Sequence, residues 1–185
     1  MRFDLINTTI EGLKVIQRKP IYDDRGFLSR IYCQDDFKLM GVDKRIGQIN
    51  QTLTKKKGAV RGLHFQLPPY AETKIVSCIR GEIFDVAIDL RKGSPTFLKW
   101  HAEILSEVNK KSFLIPKGFA HGFQTLTDDC ELLYLHTAPY SKEHERGLNL
   151  VDDKLGVAWP LKITDLSDRD RSHEMIKDDF EGIDL

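Results

Sequence analysis

Apolar and polar residues alternate with period two along most of this chain. Such alternation marks strands with one face buried and the other wet. It predicts strands over residues 13–19, 27–33, 45–53, 59–66, 73–80, 82–90, 97–105, 112–115, 122–126 and 131–138. Turn signals fall between them, at Tyr22-Asp23-Asp24-Arg25-Gly26, Lys55-Lys56-Lys57-Gly58, Pro68-Pro69 and Lys92-Gly93-Ser94-Pro95. Residues 73–80 and 82–90 read as a pair meeting at Gly81. In the second of these, Phe84, Val86 and Ile88 share one face, and Asp85, Ala87 and Asp89 share the other. A short helix is predicted over 35–40, with Asp36 near its start and Gly41 after its end. Beyond Trp159-Pro160 the charged tail predicts loops and one more short helix. Many short strands and frequent turns point to an all-β sandwich or barrel with a few short peripheral helices. The chain shows no internal repeat, low-complexity stretch or linker, so residues 1–185 read as a single domain.

Composition narrows the function classes. A chain of 185 residues can bury a sizeable core without staples. Its 28 basic residues balance 28 acidic ones, so no net charge draws it to nucleic acid or an anionic membrane. Cys33, Cys78 and Cys130 are scattered and odd in number, which argues against a disulfide framework or a zinc knuckle. Reduced thiols fit a cytoplasmic protein. Met1-Arg2-Phe3-Asp4-Leu5 lacks the apolar run of a signal peptide. No stretch reaches the roughly 18 apolar residues of a membrane span.

Candidate chemistry gathers around Val60-Arg61-Gly62-Leu63-His64-Phe65-Gln66. Histidine is the side chain whose ordinary pKa lies closest to working pH, which suits a general base. On a period-two strand Gly62, His64 and Gln66 share a face of small and polar neighbours. Arg61 offers a fork for an anionic group. The bland alternative is a hydrogen-bonded histidine on a half-buried strand. A metal-binding barrel would want a second histidine two residues on, and Gln66 stands there. His121, between Ala120 and Gly122, has room for a ligand, or it caps a carbonyl in a tight hairpin. Tyr134, opposite Leu133 and Leu135, is a proton donor if its hydroxyl enters a cavity, and otherwise a packed tyrosine. A carboxylate near Leu166-Ser167-Asp168-Arg169-Asp170 would orient a histidine base, and the residues alone leave Asp165, Asp168 and Asp170 equivalent.

Six segments in order carry a resemblance: Asp24-Arg25-Gly26-Phe27, Gln48-Ile49-Asn50, Arg61 to Gln66, Gly81 to Arg91, Ile115-Pro116-Lys117-Gly118-Phe119-Ala120-His121-Gly122-Phe123, and Trp159-Pro160. With them the chain resembles the dTDP-4-dehydrorhamnose 3,5-epimerase family, cupin-fold (jelly-roll) epimerases of nucleotide-linked 4-keto-6-deoxy sugars. The resemblance implies epimerisation at C3 and C5 through an enolate, with no metal or other cofactor. It implies His64 as general base, Asp170 as its partner, Tyr134 as general acid and Lys74 beside the C4 oxygen. Arg25, Gln48, Asn50, Arg61, His121, Tyr140, Glu145 and Arg169 match substrate-binding positions. It also implies a homodimer with exchanged strands and a nucleotide-diphosphate sugar as ligand. The chain departs from the family pattern at Arg30, where glutamate is usual, at Ile49, where aspartate is common, and at Leu135, where lysine is common. A single-centre epimerase, or one acting on a CDP- or GDP-linked sugar, is the neighbouring reading. A metal-dependent dioxygenase and a non-catalytic sugar-nucleotide binder are the other classes.

Overall fold

A computed structural model describes residues 2–185. Thirteen strands and two short helices follow one another: β1 (Phe3–Asn7), β2 (Lys14–Arg18), β3 (Ile21–Asp23), β4 (Gly26–Leu28), α1 (Gln34–Leu39), β5 (Gln48–Thr54), β6 (Val60–Gln66), β7 (Lys74–Arg80), β8 (Glu82–Asp89), β9 (Trp100–Ser106), β10 (Lys111–Ile115), β11 (Phe119–Thr125), β12 (Cys130–His136), β13 (Glu145–Gly147) and α2 (Asp168–Arg171). One sheet has six strands in the order β1-β2-β10-β7-β12-β5 and the other has five, β13-β6-β11-β8-β9. All strand pairs are antiparallel. From β5 onward the chain mostly alternates between the sheets, so the fold is the all-β sandwich of the cupin type.

Three apolar layers follow from the period-two pattern. Val76, Ala87, Phe113, Phe123 and Leu132 fill the interior between the sheets. Val86, Ile88, Leu63 and Phe65 cover the outer face of the five-stranded sheet, beneath Leu148, Leu155 and Ile176 of the C-terminal segment. Ile16, Ile75, Leu114 and Leu135 do the same on the six-stranded sheet, beneath Phe37 and Met40 of α1 and its end. The face expected for Phe84, Val86 and Ile88 is thus the outer one, and Asp85 and Ala87 face inward.

Four expectations need correction. Residues 73–80 and 82–90 do not pair: β7 lies between β10 and β12, and β8 pairs β9 and β11 in the opposite sheet. Gly81, at φ +77°, turns the chain from one sheet into the other, and a side chain there would collide with Thr127 and Cys130. The strand expected over 27–33 stops at Leu28, because its partner β3 is only three residues long. β11 begins three residues earlier than expected and so carries His121 on a strand rather than in a turn. β1 and β13 were not expected; β1 is a half-exposed edge strand, and β13 is three residues long with a charged sequence.

Two local devices shape the five-stranded sheet. The first is a bulge between β6 and β11, where His121 faces His64 but Phe123 faces Arg61. Arg61 and His64 would point to opposite faces of a regular strand, yet here both line one cavity. Gly62 sits in that bulge at φ +133°, and a Cβ on it would lie 2.5 Å from Gly122 Cα. The second device is Asp89 at the end of β8. It accepts hydrogen bonds from Arg91 Nε at 2.8 Å, Ser94 Oγ at 2.6 Å and Thr96 Oγ1 at 2.6 Å. Burial acts to raise its pKa, but these donors outweigh it and hold the carboxyl at about 2.

Gly62→Ala is therefore expected to destabilise the protein by about 2–4 kcal/mol, as a combined backbone and packing lesion, read as a shift in the urea midpoint. Asp89→Asn is expected to cost about 2 kcal/mol near neutral pH. Because the folded pKa is depressed, that contribution is complete above the unfolded value near 3.8 and is lost as pH falls through about 2. Denaturation of both proteins across this range checks it, and a gap between them that does not narrow on acidification contradicts it.

Candidate active site

Between the sheets, at one end, lies a cavity of about 400 Å³, a size suited to a small ligand. β5 contributes Gln48, Asn50 and Thr52, β12 contributes Tyr134 and His136, and β7 contributes Lys74. From the other sheet come Arg61, His64 and Gln66 of β6 and His121 of β11. Tyr140, Glu145, Arg169 and Asp170 close the rim.

His64 Nε2 lies 2.7 Å from Asp170 Oδ1. Asp165 and Asp168 are exposed, whereas Asp170 is buried, so the three candidates separate by burial. Local chemistry places it: Ser167 caps α2 by accepting from the Asp170 amide at 3.0 Å, which turns the Asp170 side chain inward. Burial acts to raise the Asp170 pKa, but the His64 hydrogen bond and charge outweigh it, so the carboxyl stays below its ordinary range. With Nε2–H donated to this carboxylate, Nδ1 is the ring nitrogen left to accept a proton.

Tyr134 stands on the opposite sheet, 8% exposed. Its ring meets His121 edge-on at 6.0 Å and stacks on His136 at 5.9 Å. Burial, and then the nearby Asp85 charge, push the phenol well above its ordinary pKa, so it remains protonated. Lys74 Nζ donates to the His64 carbonyl at 3.3 Å and pairs with Glu72 Oε1 at 3.3 Å. His121 does not cap a carbonyl. Its Nε2 lies 2.6 Å from Asp85 Oδ1, whose carboxyl is fully buried and raised in pKa by that burial despite His121 and Lys74.

Around the rim, Arg61 Nε donates to Thr54 Oγ1 at 2.9 Å and the guanidinium remains exposed. Gln48 Oε1 accepts from the Tyr140 amide at 3.0 Å. Tyr140 donates its hydroxyl to Glu145 Oε2 at 2.9 Å, and Glu145 pairs with Arg169 at 2.5 Å. Asn50 lies across from Tyr134 on the neighbouring strand. Arg25 alone among the expected residues lies elsewhere: it pairs with Asp23 at 2.6 Å at the tip of the β3–β4 hairpin, its side chain 88% exposed. Arg30 is also away from the cavity, beside Asp36 at 3.6 Å.

The residues missed from sequence are Glu72, Asp85, His136 and His173. Glu72 Oε2 accepts from His136 Nδ1 at 2.9 Å, so one buried carboxylate holds both Lys74 and His136. Period two was the available signal for His136, two residues after Tyr134, and for Asp85 on the inward face of β8. Glu72 and His173 sit in loops and gave none. Gln66 is not a metal ligand here: its amide donates to the Tyr70 and Pro139 carbonyls and accepts from the Ser141 amide at 2.6 Å.

The sequence profile of the dTDP-4-dehydrorhamnose 3,5-epimerase family matches residues 7–178. A dTDP-4-dehydrorhamnose 3,5-epimerase from Sinorhizobium fredii is 44% identical over 165 residues, covering 89% of this chain and 85% of that protein. A dTDP-6-deoxy-D-glucose-3,5-epimerase from Legionella pneumophila, solved in complex with dTDP-4-keto-L-rhamnose, superposes with a TM-score of 0.89 at 39% identity, covering 94% of this chain and 92% of that one. ChmJ, a 3'-monoepimerase from Streptomyces bikiniensis solved in complex with dTDP-quinovose, superposes at 0.83 with 31% identity, covering 92% and 86%. The profile match over most of the chain and this extent of likeness in sequence and fold make the chain a member of the dTDP-4-dehydrorhamnose 3,5-epimerase family, an isomerase of nucleotide-linked sugars.

Proposed function

We propose that the cavity inverts C3 and C5 of a dTDP-linked 4-keto-6-deoxyhexose, converting dTDP-4-dehydro-6-deoxy-D-glucose to dTDP-4-dehydro-L-rhamnose. The observation that carries this reading is the placing of His64 and Tyr134 on opposite sheets of one cavity, with Asp170 on the histidine. A ketone at C4 acidifies the hydrogens on both neighbouring carbons. His64 Nδ1 takes one of these protons, and the C–H electrons pass into the carbonyl to give an enolate. Lys74, paired with Glu72 at 3.3 Å, faces the developing oxyanion. Tyr134 then donates its proton to the other face of the carbon, and the centre inverts. Solvent restores the tyrosine proton and removes the one on His64. Repeating the sequence at the other carbon completes the reaction. Each positioned proton transfer is worth about 10²–10⁴-fold. The exposed Arg61 and Arg169 guanidiniums flank the mouth and suit a diphosphate.

The likeness to a 3'-monoepimerase favours one second reading, inversion at C3 alone. Proton NMR in D₂O with the dTDP-linked 4-keto sugar separates the two by counting the carbons that take up deuterium; absence of uptake at both carbons refutes the epimerase. His64→Ala and Asp170→Asn are expected to slow uptake by at least about 10²-fold. Tyr134→Phe is expected to retain exchange while losing inversion, and an unchanged product would remove its role as acid.

Arg25 is expected to serve the cavity of a second subunit in a homodimer. Tyr22, Phe27 and Leu28 leave the same hairpin strongly exposed and apolar, as an arm awaiting cover does. Arg25→Ala and His64→Ala proteins, each weakly active alone, are expected to regain activity when unfolded and refolded together, because a mixed dimer holds one intact site. No gain on mixing would contradict the service of Arg25 to the partner's cavity.

A further inference from the structure

We propose that His64, Asp170 and His173 form a site for a zinc-class divalent ion, and that its occupation switches the base off. The proposal rests on His64 as the base. One ligand atom from each residue lies within 4.8 Å of the other two, and among the described residues no other trio of histidine, cysteine or carboxylate side chains meets this closely. His64 Nε2 is 2.7 Å and His173 Nε2 3.9 Å from the same oxygen, Asp170 Oδ1. Zinc bonds of about 2.0–2.1 Å put tetrahedral ligand atoms roughly 3.3 Å apart, between these two separations.

A second observation concerns His173 itself. Its Nε2 is buried and has no hydrogen-bond partner. An unpartnered nitrogen beside a buried carboxylate is costly unless something binds it. The ring is held in place rather than free to turn away. It meets His64 edge-on at 5.6 Å and fills the space above Gly147, where any side chain would collide with it. Asn149 Nδ2 fixes its backbone by donating to the His173 carbonyl at 3.0 Å. Two nearby cations are paired, Arg169 with Glu145 and Lys74 with Glu72, so their repulsion of an incoming ion is offset.

Tautomer chemistry gives the consequence. A neutral imidazole bound to a metal through Nε2 must carry its proton on Nδ1. The ion displaces the Nε2 proton, the ring takes a proton on Nδ1, and no net proton is released. The nitrogen that would accept the substrate proton is then already protonated. The ion therefore inhibits without filling the cavity.

Chelator-stripped protein is titrated with Zn²⁺ while deuterium uptake by the 4-keto sugar nucleotide is followed, and separately with Co²⁺ while its visible absorption is recorded. The expected result is one ion per chain, loss of uptake on saturation and recovery with chelator. His173→Gln is expected to keep its basal uptake and to need at least about 10-fold more Zn²⁺, since even outer-shell losses cost this much. Gly147→Ala, which drives the ring aside, is expected to weaken the Co²⁺ spectrum in the same way. Unchanged Zn²⁺ sensitivity in His173→Gln, or no Co²⁺ band in the native protein, overturns the site. The Co²⁺ arm needs no turnover, so a protein that binds ion but exchanges no proton would count against the epimerase reading and leave the metal site standing.

Discussion

Two bare backbones in contact set the geometry of this site. Gly62 on β6 and Gly122 on β11 approach so closely that a methyl group on either would strike the other strand. That contact absorbs the extra residue of the bulge and brings Arg61 and His64 onto one face. It also aims the Gly62 amide at Asp170 Oδ2, 3.4 Å away, so the strand that carries His64 helps hold the carboxylate beside it. The spacing of Arg61 and His64 is thus a property of backbone packing, which no exposed side chain can adjust.

Around this frame the cavity carries three buried carboxylates, Glu72, Asp85 and Asp170. Isolated buried carboxylates are strongly disfavoured. Each one here is matched: Glu72 by Lys74 and His136, Asp85 by His121, Asp170 by His64. The matching is uneven, and that is informative. Asp170 and Glu72 lie below their ordinary pKa range, while Asp85 lies above its own and leaves Oδ2 without a partner. Burial thus disfavours the Asp85 carboxylate more than its neighbours restore it, a cost met at groups kept for function. Its field also adds to burial in keeping the Tyr134 phenol protonated.

Much of this was legible in the sequence, because period-two alternation reports a buried sheet face directly. It placed ten strands and correctly put Asp85 and Ala87 on the face opposite Val86. It could not say which strand pairs with which, since β7 and β8 look like a hairpin and yet part at Gly81 into different sheets. Nor could it place loop residues such as Glu72 and His173, whose position depends on where the loop lands. Asp170 became separable from Asp165 and Asp168 only through burial on α2.

Two departures from the family pattern turn out to be one. Ile49 and Leu135 are direct partners across β5 and β12, on the face away from the cavity. With the aspartate and lysine that the family resemblance implies at these positions, a pair of opposite charges would meet; here an aliphatic pair does. Cross-strand neighbours of either kind stabilise a sheet by similar amounts, and a mixed pair would leave a charge beside an apolar side chain. The exchange leaves the cavity-facing residues Gln48, Asn50 and Tyr134 untouched, because successive residues of a strand point to opposite faces. Arg30 is likewise remote from this chain's own cavity. What the sequence left unplaced around Lys74 and the His64–Asp170 pair is therefore Glu72 and His173, both in loops, and neither is visible until the strands are assembled.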